Sequence, residues 1–128
     1  MKDLSNRADI ENLVTRFYEK IITDELIGKF FTEFIRLSFD HHLPIMFDFW
    51  ETVLFKSDIY KGNPMLKHLE LNRIYALKPV HFDRWLLLWE QTIRSNYEGE
   101  LSEKAITQAH QIGQLMQFKL KGESPHFR

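Results

Sequence analysis

Six histidines, four tyrosines and three tryptophans carry most of the chemistry this 128-residue chain can offer. Their spacing excludes more than it selects. His41, His42, His68, His81, His110 and His126 contain no i,i+4 pair, the spacing that sets two metal ligands on one helical face. His41 and His42 are adjacent and point in different directions on a helix. A zinc site from Asp40, His42, His68 and His81 could assemble only through the fold. There is no cysteine. That removes disulfides, thiolate nucleophiles, iron–sulfur clusters and thiolate-bound metal. No GxSxG elbow, phosphate-cradling glycine loop or HExxH is present. Glu11, Glu19 and Glu51 sit beside polar neighbours in helical patterns, so no carboxylate pair for hydrolysis stands out.

One imidazole remains of interest. In YKGNPMLKHLEL, from Tyr60, Asn63 can cap a helix and Pro64 can occupy its first position. That predicts a short helix bearing Met65, Leu66, His68 and Leu69. On composition alone His68 is a half-buried or surface histidine. Its sharper use is as an axial ligand to iron. The metal then takes one ring nitrogen, a carbonyl accepts from the other, and an apolar slot holds the ring. Leu69, Leu71, Phe82 and Trp85 could line such a slot. Tyr18 reads as a core tyrosine or as a donor inside a pocket. Trp50 and Trp85 read as core, and His42 as solvated.

The elements that must position these groups are helical. Four prolines and five glycines interrupt the chain, and apolar residues recur at the helical period without strand alternation. One helix is predicted from about Asp9 to Ile22, with Asp9 as cap. A turn and short helix follow in TDELIGKFF, capped by Asp24 and loosened by Gly28. The segment Thr32 to His42 could be helix, turns or loop. A further helix is predicted from about Leu43 to Lys56, with Pro44 in its first turn. Two long helices close the chain, from about Pro79 to Tyr97 and from about Ser102 to Lys121, with Ser102 capping the second. The length fits one domain over residues 1–128, with 1–8 and 122–128 as flexible ends. A net charge of -1 gives no field to gather phosphates, so nucleic acid is not an expected partner. No apolar run has the length of a membrane span or the form of a signal, so a cytoplasmic protein is expected. An aromatic content of 14% suits a heavy core or a pocket for a large flat ligand.

Four segments in order then carry a likeness: FYEKIITDELIGKFF (17–31), HLPIMFDFW (42–50), YKGNPMLKH (60–68) and HFDRWLLLW (81–89). Together they resemble the truncated haemoglobins, specifically the third group of that family. The resemblance implies an all-α, two-over-two helical sandwich enclosing haem b. The long helices would be the family's B, E, G and H helices. His68 would be the proximal iron ligand, and Tyr18 and Trp85 would face the distal ligand. His42 matches a histidine near the start of the E helix. Phe17 would pack near the haem, and Phe31 would supply a ring contact. Tyr60, Lys67, Arg73 and Lys78 are candidates for the propionates. Where the group often has a tryptophan, three residues before the E-helix histidine, this chain has Phe39, which fills space but lacks an indole N–H. The preceding segment is short, so His42 could swing into the pocket as a gate or point outward.

The implied function is binding of oxygen, carbon monoxide or nitric oxide at open ferrous iron. An alternative is haem-dependent removal of nitric oxide or peroxide. That would need an external reductase, because no flavin or nicotinamide fingerprint is present. A different class is a cofactor-free helical interaction module, which would be colourless. A gas sensor would need a partner as its output. Nothing in the sequence decides whether the chain is an enzyme. Purified protein is expected to show a Soret band that shifts when carbon monoxide is added after dithionite. His68→Ala should lose or alter that pigment; an unchanged spectrum would exclude His68 as the ligand.

Overall fold

The computed structural model describes residues 1–30, 39–55 and 78–122, apart from the side chains of 39, 41 and 119–122. Four long α-helices span them: α1 (Arg7–Ile22), α2 (Phe39–Phe55), α3 (Pro79–Asn96) and α4 (Glu100–Gly122). Among the described residues there is no strand, in keeping with the all-α expectation.

Helix α1 buries Ile10, Leu13, Val14, Phe17, Tyr18 and Ile21, a stripe at helical spacing. Its cap is Asn6 and not Asp9, so it starts two residues earlier than predicted. The Asn6 side chain accepts from the Asp9 N–H at 2.9 Å. Asp9 reaches back instead, accepting from the Ser5 N–H at 2.9 Å and from Lys2 Nζ at 2.7 Å. Beyond α1, Asp24 does cap the following turn, accepting from the Leu26 and Ile27 N–H groups at 3.1 Å each. Gly28 does not loosen that turn. The chain there presses on the end of α1, where a Cβ would lie 3.0 Å from the carbonyl oxygens of both Ile21 and Ile22.

Helix α2 is already formed at Phe39, which places Pro44 inside it and not in its first turn. The proline ring forfeits the hydrogen bond to the Asp40 carbonyl. Burial of Trp50 and Leu54 in the shared core holds the helix despite that loss. Helix α3 keeps Pro79 at its first position. Helix α4 begins at Glu100, not at Ser102, because a distant residue caps it. Asp3 accepts from the Leu101 N–H at 2.9 Å, the Ser102 N–H at 2.8 Å and the Ser102 hydroxyl at 2.6 Å. At the N-terminal end, where composition read as loose, Leu4 is buried and Glu98 N–H donates to the Lys2 carbonyl at 3.0 Å.

Polar contacts give the helix directions. Early α1 meets late α2 (Arg7–Asp48), and late α1 meets early α2 (Tyr18–His42). Asn12 donates to the Tyr97 hydroxyl just past α3, while Asp24, just past α1, pairs with Arg84 near the α3 start. Arg94 and Glu103 join the end of α3 to the start of α4. Helix α1 therefore runs antiparallel to α2 and to α3, and α3 antiparallel to α4. With α4 also touching α2, the helices form two antiparallel pairs packed in a sandwich. Trp89 stands where they meet. It stacks on Trp50 of α2 at 4.6 Å, meets Phe17 of α1 edge-on at 4.8 Å, and donates its indole N–H to the Ala105 carbonyl of α4 at 3.1 Å. Ala105 and Ala109 are fully buried, and their small side chains permit that approach.

Gly99, with φ 143°, has no room for a side chain: a Cβ would meet the Asp3 carboxyl carbon at 2.4 Å. Burial raises the Asp3 pKa, but hydrogen bonds from Ser102, Leu101 and Leu4 together outweigh it and hold the carboxyl below its usual range. Its stabilisation is thus fully present above the unfolded carboxyl pKa of ~3.9 and is lost as pH falls through the lower folded value. Asp3→Ala is expected to lower stability by ~1 kcal/mol at neutral pH and to reduce the acid-side loss. Gly99→Ala should lower it by about 1–3 kcal/mol. Urea unfolding should find the pair less than additive, because Asp3 is the group that an alanine strikes. Strict additivity would contradict this cap.

Candidate functional site

Phe17 and Tyr18 leave α1 one residue apart and so turn toward different neighbours. Phe17 faces α3, edge-on to Trp85 at 5.8 Å as well as to Trp89, and is 1% exposed. Tyr18 faces α2. Its hydroxyl lies 3.0 Å from His42 Nε2, and the two rings are nearly perpendicular with centroids 5.2 Å apart. His42 is therefore turned inward, onto a residue 24 positions earlier. Either group can donate, depending on which imidazole nitrogen carries the proton. Burial pushes the Tyr18 phenol well above its ordinary pKa, so it keeps its O–H throughout the neutral range.

From His42, an apolar stripe continues down α2. Met46, Phe49 and Val53 follow at spacings of four, three and four residues, which holds them on His42's face. All three are half-buried, as is Trp85 on α3. The neighbouring stripe, with Trp50 and Leu54, is buried in the core. The result is an apolar wall with a polar, proton-bearing pair at one end. That chemistry suits a large flat apolar cofactor that presents a small polar ligand at its centre, and haem is such a group.

Two other described histidines, His81 and His110, do other work. His81 Nδ1 accepts from the Lys78 N–H at 2.9 Å, capping α3, and its ring stands edge-on to Phe30 at 4.8 Å. Burial, then the charges of Lys78 and Lys29, lower its pKa and favour the neutral ring that this acceptor role needs. His110 lies 3.9 Å from Glu90 at the surface. Among the described residues no three His, Asp or Glu side chains converge on a metal position. His68, Phe31, Tyr60, Lys67 and Arg73 lie outside the described residues. Lys78 is exposed beside the α3 start.

Of the residues named from sequence, the structure joins Tyr18 directly to His42 and sets Trp85 against Phe17, the residue next to Tyr18. The line of Met46, Phe49 and Val53 below His42 is not among the site residues that the sequence reading names. The spacing was legible only if α2 starts before Leu43. Phe17 was expected against the cofactor; the structure encloses it among Tyr18, Trp85 and Trp89.

Comparison with known proteins adds three findings. A family model for bacterial-like globins matches residues 3–118. A group 3 truncated hemoglobin of Campylobacter jejuni is 29% identical over 110 residues, 84% of either chain. A crystal structure of a group III truncated hemoglobin from Campylobacter jejuni matches with a TM-score of 0.79 at 29% identity, covering 94% of this chain and 95% of that one. Among the described residues, no helix is long and apolar enough to cross a membrane.

Tyr18 should be silent in an alkaline titration of the native protein. Wild type and Tyr18→Phe are expected to develop the same tyrosinate absorbance through the ordinary phenol range near pH ~10. A smaller amplitude in the variant would show that Tyr18 ionises there.

Proposed function

We infer, from the premise that this chain belongs to the bacterial-like globin family and within it to the group III truncated haemoglobins, that it is a haem protein whose Tyr18–His42 pair governs how long a diatomic ligand stays. Haem b, when bound, supplies an iron with a position for oxygen, carbon monoxide or nitric oxide. His68 would hold that iron. The apolar stripe of Met46, Phe49 and Val53, with Trp85, would cover the ring and exclude water.

The observation that carries the reading is the 3.0 Å contact between Tyr18 and His42. With a proton on His42 Nε2, the imidazole donates to the Tyr18 oxygen, and the phenol O–H points away from His42, the direction in which it would donate to a ligand. With the proton on Nδ1, the phenol O–H is taken up by His42 Nε2. The tautomer of one ring thus sets whether Tyr18 can donate. The indole N–H of Trp85 is a second donor, on the neighbouring helix. Phe17 braces both, in edge contact with Tyr18 at 5.2 Å and with Trp85.

Bound oxygen would present Tyr18 with a partly negative acceptor, and carbon monoxide would do so far less. A hydrogen bond to a partly charged acceptor in a dry pocket contributes roughly 1–3 kcal/mol. Strong oxygen retention follows, which fits ligand holding or chemistry better than delivery. Turnover of nitric oxide or peroxide is favoured by one feature: the same pair can pass a proton through the Tyr18 hydroxyl. Reductant-dependent turnover would separate that activity from binding alone.

Tyr18→Phe is expected to speed oxygen release by about 5- to 150-fold, at ~1.4 kcal/mol per decade, and carbon monoxide release far less. Stopped-flow displacement of each gas measures both. Equal effects on the two gases would remove Tyr18 from this role.

A further inference from the structure

At the far end of the α1–α2 seam from Tyr18, one guanidinium gathers three carboxylates. Arg7 Nε donates to Glu11 at 2.9 Å. Its Nη1 donates to Asp48 at 2.7 Å and to Glu51 at 2.9 Å. The guanidinium also lies over the Phe47 ring, 5.6 Å from its centroid. Glu11 belongs to α1, whereas Asp48 and Glu51 belong to α2 and sit one turn apart.

The seam thus has polar ties at both ends. Arg7 and Tyr18 are about 16 Å apart along α1, and His42 lies about 9–14 Å along α2 from Asp48 and Glu51, at 1.5 Å per residue. Apolar side chains between them hold the helices together but are non-directional and resist sliding poorly. A lone exposed ion pair would add little. This cluster differs in two ways. The planar fork of Arg7 meets carboxylates from both helices at once. And the charge balance is lopsided: without Arg7, Glu11 faces Asp48 and Glu51 across the seam with like charge, so an attraction becomes a repulsion.

We propose that Arg7 is a positioning residue for the distal pair: it holds α2 at the placement in which His42 reaches Tyr18, and ionic strength tunes that hold. The link to ligand retention rests on the reading given under the proposed function. The positioning itself does not.

Two measurements test it. The first is modification of His42 by diethyl pyrocarbonate, read by mass spectrometry, which reports on the imidazole whether or not haem is present. The second is oxygen release from the haem-loaded protein. Both are run between about 0.01 M and about 1 M salt, over which the Debye length falls from ~30 Å to ~3 Å. In wild type both rates should rise with salt. In Arg7→Ala both should be about fivefold higher at low salt, the equivalent of ~1 kcal/mol, and should fall as salt screens the repulsion. Arg7→Lys, a point charge without the fork, should lie between. Asp48→Asn with Glu51→Gln removes attraction and repulsion together, so it should be faster than wild type and insensitive to salt. This pair carries the test if Arg7→Ala does not fold. A reversed salt slope in Arg7→Ala supports the proposal, because mere loss of stability would not invert it. His42 reactivity equal in all variants at every salt would overturn it. If His42 responds as described and the protein binds no haem, the positioning stands and the functional reading falls.

Discussion

A buried indole must place its N–H, and Trp89 places its own on the backbone carbonyl of Ala105. That one requirement joins α3 to α4 at a set depth, which the fully buried Ala105 and Ala109 allow. The same ring then stacks on Trp50 from α2 and meets Phe17 from α1 in a T-shaped contact. Once Phe17 is held, Tyr18 has little freedom, since the next residue on a helix points about a third of a turn away. The orientation of the Tyr18 side chain is therefore a consequence of core packing on α3, not of any loop.

Tyr18 in turn poses the problem that His42 answers. Tyr18 is 6% exposed, and leaving a buried hydroxyl without a partner would destabilise the fold by about 1–3 kcal/mol. On the proposed function, the same hydrogen bond would also set the direction in which the Tyr18 O–H points toward a ligand. Packing and ligand chemistry would then share one contact.

Much of this was legible in the residues. Apolar periodicity placed α1, α3 and α4 to within two residues or so, because each combines a clear stripe with a stop such as Gly99. The four landmark segments named Tyr18, Trp85 and His42 before any geometry was available. What escaped reading was long-range. Asp3 caps a helix that starts almost a hundred residues later, and nothing near Ser102 announces it. Ser102 looked like a cap in its own right and instead hydrogen-bonds to one. Asn6 and Asp9 are both good caps three residues apart, and local propensity cannot choose between them. Pro44 favoured a helix start in its vicinity, but α2 runs through it because tertiary packing compensates one lost hydrogen bond. Nothing in the local sequence singles out Arg7, because its partners Asp48 and Glu51 come from another helix.

Under the proposed function, the Tyr18 hydroxyl, braced by Phe17 and paired with His42, would be the main donor to a bound gas. The C–O stretch of carbon monoxide reads that donor directly, because a positive proton near the gas weakens the C–O bond even where it adds little affinity. Infrared spectra of the reduced, carbon monoxide-saturated protein should show a lowered stretch in wild type and a clear shift to higher frequency in Tyr18→Phe. A band at the same position in both proteins would contradict the assignment of Tyr18 to the ligand.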